Sequence, residues 1–112
     1  MRPRGRPTKY RLVKNSPKIS LFSPRGKPGR PDEIELKIDE FETLRLADFL
    51  GQKQKEAAKS MGVSQQTFSR ILKRARSLTA EALVTGKIIK IQGGQYILNS
   101  RQNPSKSPIK QG

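Results

Sequence analysis

One short stretch in the middle of the chain constrains its fold more than any other. A pair of small residues, Ala57 and Ala58, lies four residues before Gly62, and Val63 and Ser64 follow. A small residue lets two helices cross closely, a glycine allows the positive φ of a tight turn, and a serine caps the next helix. Apolar residues then repeat at helical spacing, at Phe68, Ile71, Leu72, Ala75, Leu78 and Ala82. The pattern predicts a helix-turn-helix, with an ordinary helical hairpin as the alternative.

A further helix is expected immediately before this pair. Its sequence, DEFETLRLADFLG (Asp39–Gly51), opens with an aspartate in the N-cap position and carries Glu42 three residues later. Leucines and alanine recur at helical spacing, and the glycine is a natural end. Acidic residues suit the positive end of a helix dipole, so capping is a sufficient explanation of the acidity of this segment.

Short strands are expected around the helices. KISLF (Lys18–Phe22) and EIELKID (Glu33–Asp39) alternate apolar and polar residues, and GKIIKIQGGQYIL (Gly86–Leu98) predicts a β-hairpin that turns at Gly93–Gly94. A lone hairpin is marginal in water, so this one should pack on the helices, pair with the N-terminal strands or add to a partner subunit. The predicted fold is therefore mainly α, a three-helix helix-turn-helix with accessory strands and a C-terminal hairpin.

Proline and glycine divide the chain into three parts. The first 31 residues contain six prolines, which excludes a continuous helix. We expect a basic Pro/Gly-rich arm over residues 1–31, the helix-turn-helix domain with its hairpin over 32–98, and a polar, disordered tail over 99–112.

The charge balance points to a polyanionic partner. The chain has 24 Lys and Arg against 9 Asp and Glu, a net charge of +15. It contains no cysteine or histidine, so it lacks thiol nucleophiles, the usual general base and the commonest zinc ligands. We therefore expect a non-enzymatic protein without cofactor or metal. No apolar run is long enough to cross a membrane, and the expected location is cytoplasmic, at the nucleoid.

The polar face of the second helix of the pair predicts base readout. Glutamine and arginine pair bidentately with adenine and guanine in the major groove. The alternative is a solvated face, but such faces are typically rich in glutamate, and Gln65–Thr79 contains no acid. The predicted base contacts are Gln65, Gln66, Ser69, Arg70 and Lys73.

A second set of residues is expected to meet DNA phosphates. Lys53 and Lys55 stand in the first turn of the preceding helix, where a cation opposes the dipole; either they contact phosphate or they are tolerated surface variation. The full predicted set is Lys53, Lys55, Ser64, Thr67, Arg74 and Arg76.

The N-terminal arm contains PRGRP, a string suited to the minor groove of A·T-rich DNA. Arg4 and Arg6 would insert, and Gly5 would allow close approach. A generic phosphate tether is the equal alternative.

The signatures LRLAD and EAAKSMGVSQQTFSRILKRAR carry a family resemblance over residues 2–96. The chain resembles a widespread, uncharacterised family of small prokaryotic proteins thought to bind DNA, with a reading head similar to region 4 of sigma factors. The resemblance implies a helix-turn-helix transcriptional regulator. Lys53, Lys55, Gln65 and Ser69 depart from the expected pattern, so no sequence preference for DNA is carried over.

These observations favour a sequence-specific double-stranded DNA-binding protein, acting as a transcriptional regulator and as a homodimer on paired half-sites. One alternative is a non-specific architectural nucleoid protein. Another is an interaction module whose acidic first helix contacts RNA polymerase.

Overall fold

The computed structural model describes residues 10–26, 29 and 31–98, which form three helices and five short strands. The strands are β1 (Arg11–Val13), β2 (Leu21–Phe22), β3 (Glu33–Leu36), β4 (Ile88–Ile91) and β5 (Tyr96–Leu98). The helices are α1 (Ile38–Thr43), continued by a π-helical segment (Leu44–Phe49), α2 (Gln54–Met61) and α3 (Gln65–Thr85). The predicted disordered tail, 99–112, lies outside the described residues. Within the described ranges, no helix is both long and apolar enough to span a membrane.

Helix α1 begins two residues earlier than the sequence pattern predicts. Its N-cap is Lys37, whose backbone N–H donates to Oε1 of Glu40 at 2.8 Å. Glu40 therefore takes the N3 position that was expected for Glu42. Asp39, the predicted cap, lies in the first turn and is only 6% exposed. The predicted capping residues, Asp39 and Glu42, are therefore wrong by two positions: Lys37 is the N-cap and Glu40 is at N3.

Helices α2 and α3 are joined by a tight turn. Gly62 ends α2 with a φ of 69°, and the N–H of Val63 donates to the Ala58 carbonyl at 3.0 Å. Ser64 then caps α3, because its Oγ accepts the N–H of Thr67 at 3.1 Å. The predicted roles of Gly62 and Ser64 are confirmed.

The predicted C-terminal β-hairpin is wrong. β4 lies between β2, to which it is antiparallel, and β3, to which it is parallel. Since both edges of β4 are occupied, β5 pairs with β1 instead, in parallel. Of the arrangements that the sequence left open, pairing with the N-terminal strands is the one observed.

The two glycines expected to form the hairpin turn instead lie close against the start of α1. The carbonyl of Gly93 accepts the N–H of Ile38 at 3.0 Å. Gly94 has a φ of 99°, and a Cβ on it would lie 2.5 Å from Oδ1 of Asp39. A side chain at position 94 would therefore collide with the start of α1.

Two apolar clusters form the core, and α3 contributes to both. One joins α3 to the strands and α1: Val13, Ile34, Leu36, Ile38, Ala75, Ala82 and Ile91. The other joins α3 to α2 and the π-helical segment: Leu46, Ala57, Ala58, Met61, Phe68 and Leu72. The N-terminal half of α3 thus packs on α2, and its C-terminal half packs on the strands.

Candidate nucleic-acid interface

The N-terminal half of α3 presents one continuous polar face to solvent. Burial of Phe68 and Leu72, which are 0% and 1% exposed, fixes the rotation of the helix. The opposite face then points outward by helical geometry. All five residues predicted to contact bases are exposed: Gln65 in the first turn, and Gln66, Ser69, Arg70 and Lys73 on this outward face.

Ser64 and Thr67, predicted as phosphate contacts, form the cap of this helix. Besides accepting the Thr67 N–H, Ser64 donates its hydroxyl to Oγ1 of Thr67 at 3.0 Å. Ser64 is exposed and Thr67 is half-buried. Their hydroxyls therefore hold the first turn of α3 in place.

Lys53 and Lys55 stand at the start of α2. Lys53 is the N-cap and has no side-chain capping bond, whereas Glu56 supplies an acid in the first turn. Both lysines are exposed. The structure leaves them accessible, as either interpretation of the sequence requires.

Arg74 and Arg76, also predicted as phosphate contacts, are each paired with an acid from another helix. Nε of Arg74 donates to Oε2 of Glu40 at 2.9 Å. Arg76 donates two hydrogen bonds to the carboxylate of Asp48, at 3.0 and 2.7 Å. The guanidinium of Arg76 lowers the pKa of Asp48, and the Asp48 hydrogen bond raises the pKa of Arg76. The two arginine side chains remain 63% and 53% exposed.

The acids of α1 do more than the capping that the sequence suggested. Glu42 is 1% exposed, accepts two bonds from Arg45 at 2.8 and 2.9 Å, and also faces the N–H of Lys14 at 3.3 Å. These hydrogen bonds raise the pKa of Arg45. The spacing of Glu42 and Arg45 could have revealed their pairing, but no local pattern places Glu40 beside Arg74, 34 residues away.

A cleft of about 560 Å³ opens beside α3, and two cations that were not predicted line it. Arg11, from β1, donates through Nη1 to Oε1 of Gln95 at 3.0 Å, and its Nε lies 3.9 Å from Oδ2 of Asp39. Lys37 lines the same cleft, together with Arg70 and Arg74 of α3. Only strand pairing and the start of α1 bring Arg11 and Lys37 to this place, so helical periodicity could not reveal them.

A second groove, of about 860 Å³, is mainly apolar and is lined by Ile19, Phe22, Phe41, Leu44 and Phe49 among others. Two of its charged residues, Arg45 and Asp48, are already paired with Glu42 and Arg76. We therefore do not include this groove in the candidate nucleic-acid interface.

The remaining predictions concern the arm and metal binding. Arg4, Gly5 and Arg6, the predicted minor-groove residues, lie outside the described part of the chain. Within that part, no group of three or more metal-ligating side chains comes together.

Comparison with known proteins gives relatives of unassigned function. The family model described as "Protein of unknown function DUF134" matches residues 1–99. A UPF0251 protein of Prosthecochloris aestuarii is 45% identical over 105 residues, 93% of this chain and 68% of the relative. One from Methanococcus maripaludis strain C7 is 48% identical over 94 residues, covering 83% and 72%, respectively. A third, from Caldicellulosiruptor bescii, is 46% identical over 95 residues, covering 85% and 66%. The chain thus spans about two thirds of the length of these relatives, and no solved structure matches it significantly.

Proposed function

This chain belongs to the DUF134 family, called UPF0251 in its relatives, and we propose that it binds double-stranded DNA sequence-specifically as a transcriptional regulator. Membership of an uncharacterised family, expected from the motifs, is confirmed. The family description assigns no function, so the proposal rests on the geometry of this chain.

The observation that carries the proposal is the exposed face of α3 next to a tight inter-helix turn. In a helix-turn-helix, the second helix enters the major groove with its N-terminal residues against the base edges. Here that end carries Gln65, Gln66 and Arg70, all exposed. Glutamine and arginine are the side chains that read adenine and guanine there.

Surrounding cations would supply affinity through the DNA backbone. Lys53 and Lys55 start the first helix of the pair, which crosses the backbone in this class of protein. Neutralising phosphates releases counterions, so binding should weaken steeply with added salt. Arg74 and Arg76 contribute less than free arginines would, because Glu40 and Asp48 already neutralise them.

The position of β1 supports a role for the N-terminal arm. Leu12 Cδ1 lies 3.5 Å from where a Cβ on Gly62 would be, so β1 runs beside the α2–α3 turn. Arg4 precedes Arg11 by seven residues, and seven residues can span at most about 25 Å. We propose that Arg4 and Arg6 use this reach to enter the adjacent minor groove.

The alternatives account less well for the arrangement. An interaction module would need the acids of α1 at the surface, yet Glu40 and Glu42 are 4% and 1% exposed and bind arginines. A non-specific architectural protein remains the second candidate, since it needs only the positive charge. A single reading head covers few base pairs, so we also propose that the protein acts as a dimer on paired half-sites.

Selection of bound sequences from random duplex DNA tests the proposal. The wild-type protein should enrich a defined motif, and Gln66→Ala/Arg70→Ala should lose that motif and bind it at least about 30-fold more weakly, because two base contacts of at least about 1 kcal/mol each are removed. A matched control is Lys90→Ala/Gln92→Ala, which removes the same kinds of group from β4 and the residue after it. A bound pool without a motif, held equally by all three proteins, would contradict sequence-specific readout.

A further inference from the structure

We propose that the cleft formed by Arg11, Lys37, Arg70 and Arg74 holds a phosphodiester of the DNA backbone beside α3. This inference rests on the proposed DNA binding, and it adds two residues from outside the helix pair, Arg11 and Lys37, to the contact surface. None of the motifs in the sequence assigns Arg11 or Lys37 such a role.

Cations from separate parts of the chain converge at this cleft. Arg11 comes from β1, Lys37 from the N-cap of α1, and Arg70 and Arg74 from successive turns of α3. The wall opposite α3 includes Gly94 and Gln95. Convergence of side chains that are distant in sequence, in a concave and accessible place, is the arrangement expected of a binding site.

The charge balance of the cleft favours an anion. Two acids line it, Asp39 and Glu40, and they are 6% and 4% exposed. Glu40 is bonded to Arg74, and Asp39 lies within ion-pair distance of Arg11. Four cations against two acids leave a net charge of +2, and the acids lie at the buried side.

Arg11 and Arg74 are each oriented by one hydrogen bond, and their other N–H donors remain for a ligand. Glu40 accepts from Nε of Arg74, and Gln95 accepts from Nη1 of Arg11. A guanidinium has five N–H donors in a rigid fork, which matches the oxygens of a phosphate. Glu40 and Gln95 are therefore positioning residues for this site.

Gly94 gives the cleft its wall. A Cβ at this residue would lie 2.5 Å from Oδ1 of Asp39 and 3.1 Å from Cβ of Lys37. A glycine lets the loop approach α1 this closely, and the pairing of β1 with β5 sets Gln95 beside Arg11.

The cleft is continuous with the proposed reading face. Arg70 and Arg74 also line a shallow groove with Lys73 and Ser77 on α3. A duplex read by the N-terminal half of α3 therefore brings backbone phosphates past the mouth of the cleft. This continuity favours a DNA phosphate over the phosphate of a free nucleotide as the occupant.

The salt dependence of duplex binding tests the cleft. Fluorescence anisotropy with a short random-sequence duplex gives the slope of log K against log salt. Lys37→Gln and Arg11→Gln should each reduce the slope measurably, by up to about 0.9, the value for complete loss of one phosphate contact. Lys90→Gln is the matched control, since it removes one charge from β4 outside the cleft and should leave the slope nearly unchanged.

Lys37→Gln keeps the test decisive even if Arg11→Gln unfolds. Lys37 is exposed and bonds Glu40 through its backbone, so the substitution leaves that bond in place. If the slopes of Lys37→Gln and Lys90→Gln agree, the cleft is not a phosphate site, whereas the proposed DNA binding is unaffected. Failure of the wild-type protein to bind any duplex would overturn the proposed function itself.

Calorimetric titration with ATP and with inorganic phosphate distinguishes the source of the phosphate. We expect binding of neither at concentrations where the duplex is bound. Binding of ATP that Lys37→Gln abolishes, and that the duplex does not displace, would assign the cleft to a free phosphorylated ligand and overturn the proposal.

Discussion

The two halves of α3 use the same kind of side chain for different purposes. In the N-terminal half, Arg70 is exposed on an acid-free face. One turn later, Arg74 donates to buried Glu40, and Arg76 forms two bonds with Asp48. A cluster of basic residues on one helix can therefore combine an exposed arginine with arginines held in internal ion pairs, and the count of charges does not separate them.

Packing explains the difference. The N-terminal half fills its side of the core with Phe68 and Leu72, large side chains that face α2. The C-terminal half buries Ala75 and Ala82 against the strands and α1. Because alanine is short, α1 and the π-helical segment approach closely enough for Glu40 and Asp48 to reach the arginines of α3.

Phe68→Ala should remove the main packing contact of the N-terminal half of α3 and cause the largest loss of stability. The side chain is fully buried, and its truncation should lower the free energy of unfolding by about 3–5 kcal/mol. Urea denaturation followed by circular dichroism measures the loss. Leu83→Ala, on the same helix but 74% exposed, is the control and should change stability by less than about 0.5 kcal/mol. Similar losses for both variants would contradict the assigned core.

Glu42→Gln should show that the acids of α1 are structural. The change leaves a buried site with a weakened partner for Arg45, and we expect a loss of about 1–3 kcal/mol in the free energy of unfolding. Glu33→Gln, whose acid is 52% exposed, should lose under about 1 kcal/mol. Equal stability of Glu42→Gln and the wild-type protein in urea denaturation would argue that this acid is dispensable.

Ser64→Ala should destabilise the first turn of α3. Loss of the cap typically lowers stability by about 1 kcal/mol. Thermal denaturation gives the global effect, and hydrogen exchange at the first turn of α3 gives the local one. Ser69→Ala is the control, because it removes an exposed hydroxyl from the same helix away from its cap. Unchanged exchange in Ser64→Ala would exclude a capping role.

The Asp48–Arg76 pair should give the smallest effect and a defined dependence on pH. The pKa of Asp48 is lowered in the folded protein, so its contribution is present near neutral pH and is lost as pH falls through the folded pKa. Both side chains are about half exposed, and solvent screening limits the contribution to about 1 kcal/mol or less.

Asp48→Asn isolates this contribution. The variant should be slightly less stable than the wild-type protein near neutral pH, and the difference should vanish below the pKa of Asp48. Denaturation at several pH values and at high salt checks both points. A difference that grows on acidification would have the wrong sign for this pair.

Local patterns predicted the local part of the molecule. Gly62, Ser64 and Phe68 act within a few residues of their own positions, so spacing along the chain was enough to assign them. β4 joins Ile89 to Ile34 in the parallel pairing with β3, across more than fifty residues, and no period records such a choice. The hairpin was predicted because local turn chemistry was present, and it is wrong because β2 and β3 already occupy β4.

The same distinction holds for the candidate site. The exposed residues of α3 follow from helical geometry once its apolar face is known. Arg11, Lys37 and the partners of Arg74 and Arg76 depend on how α1 and β1 are placed against α3. Glu40 is an example. Its position in the first turn of a helix is a sufficient reason for an acid in the sequence, and only the structure shows that it also binds Arg74.

The parallel pairing of β1 with β5 also bears on how the protein is made. Arg11 lies opposite Tyr96, so the pairing of β1 with β5 cannot form before residues 96–98 have left the ribosome. Contacts of such long sequence separation close late, because loop closure must precede them. In an incomplete chain, β1 is therefore held only by its contacts with the helices. Only after β5 has been synthesised is β1 paired along its whole length.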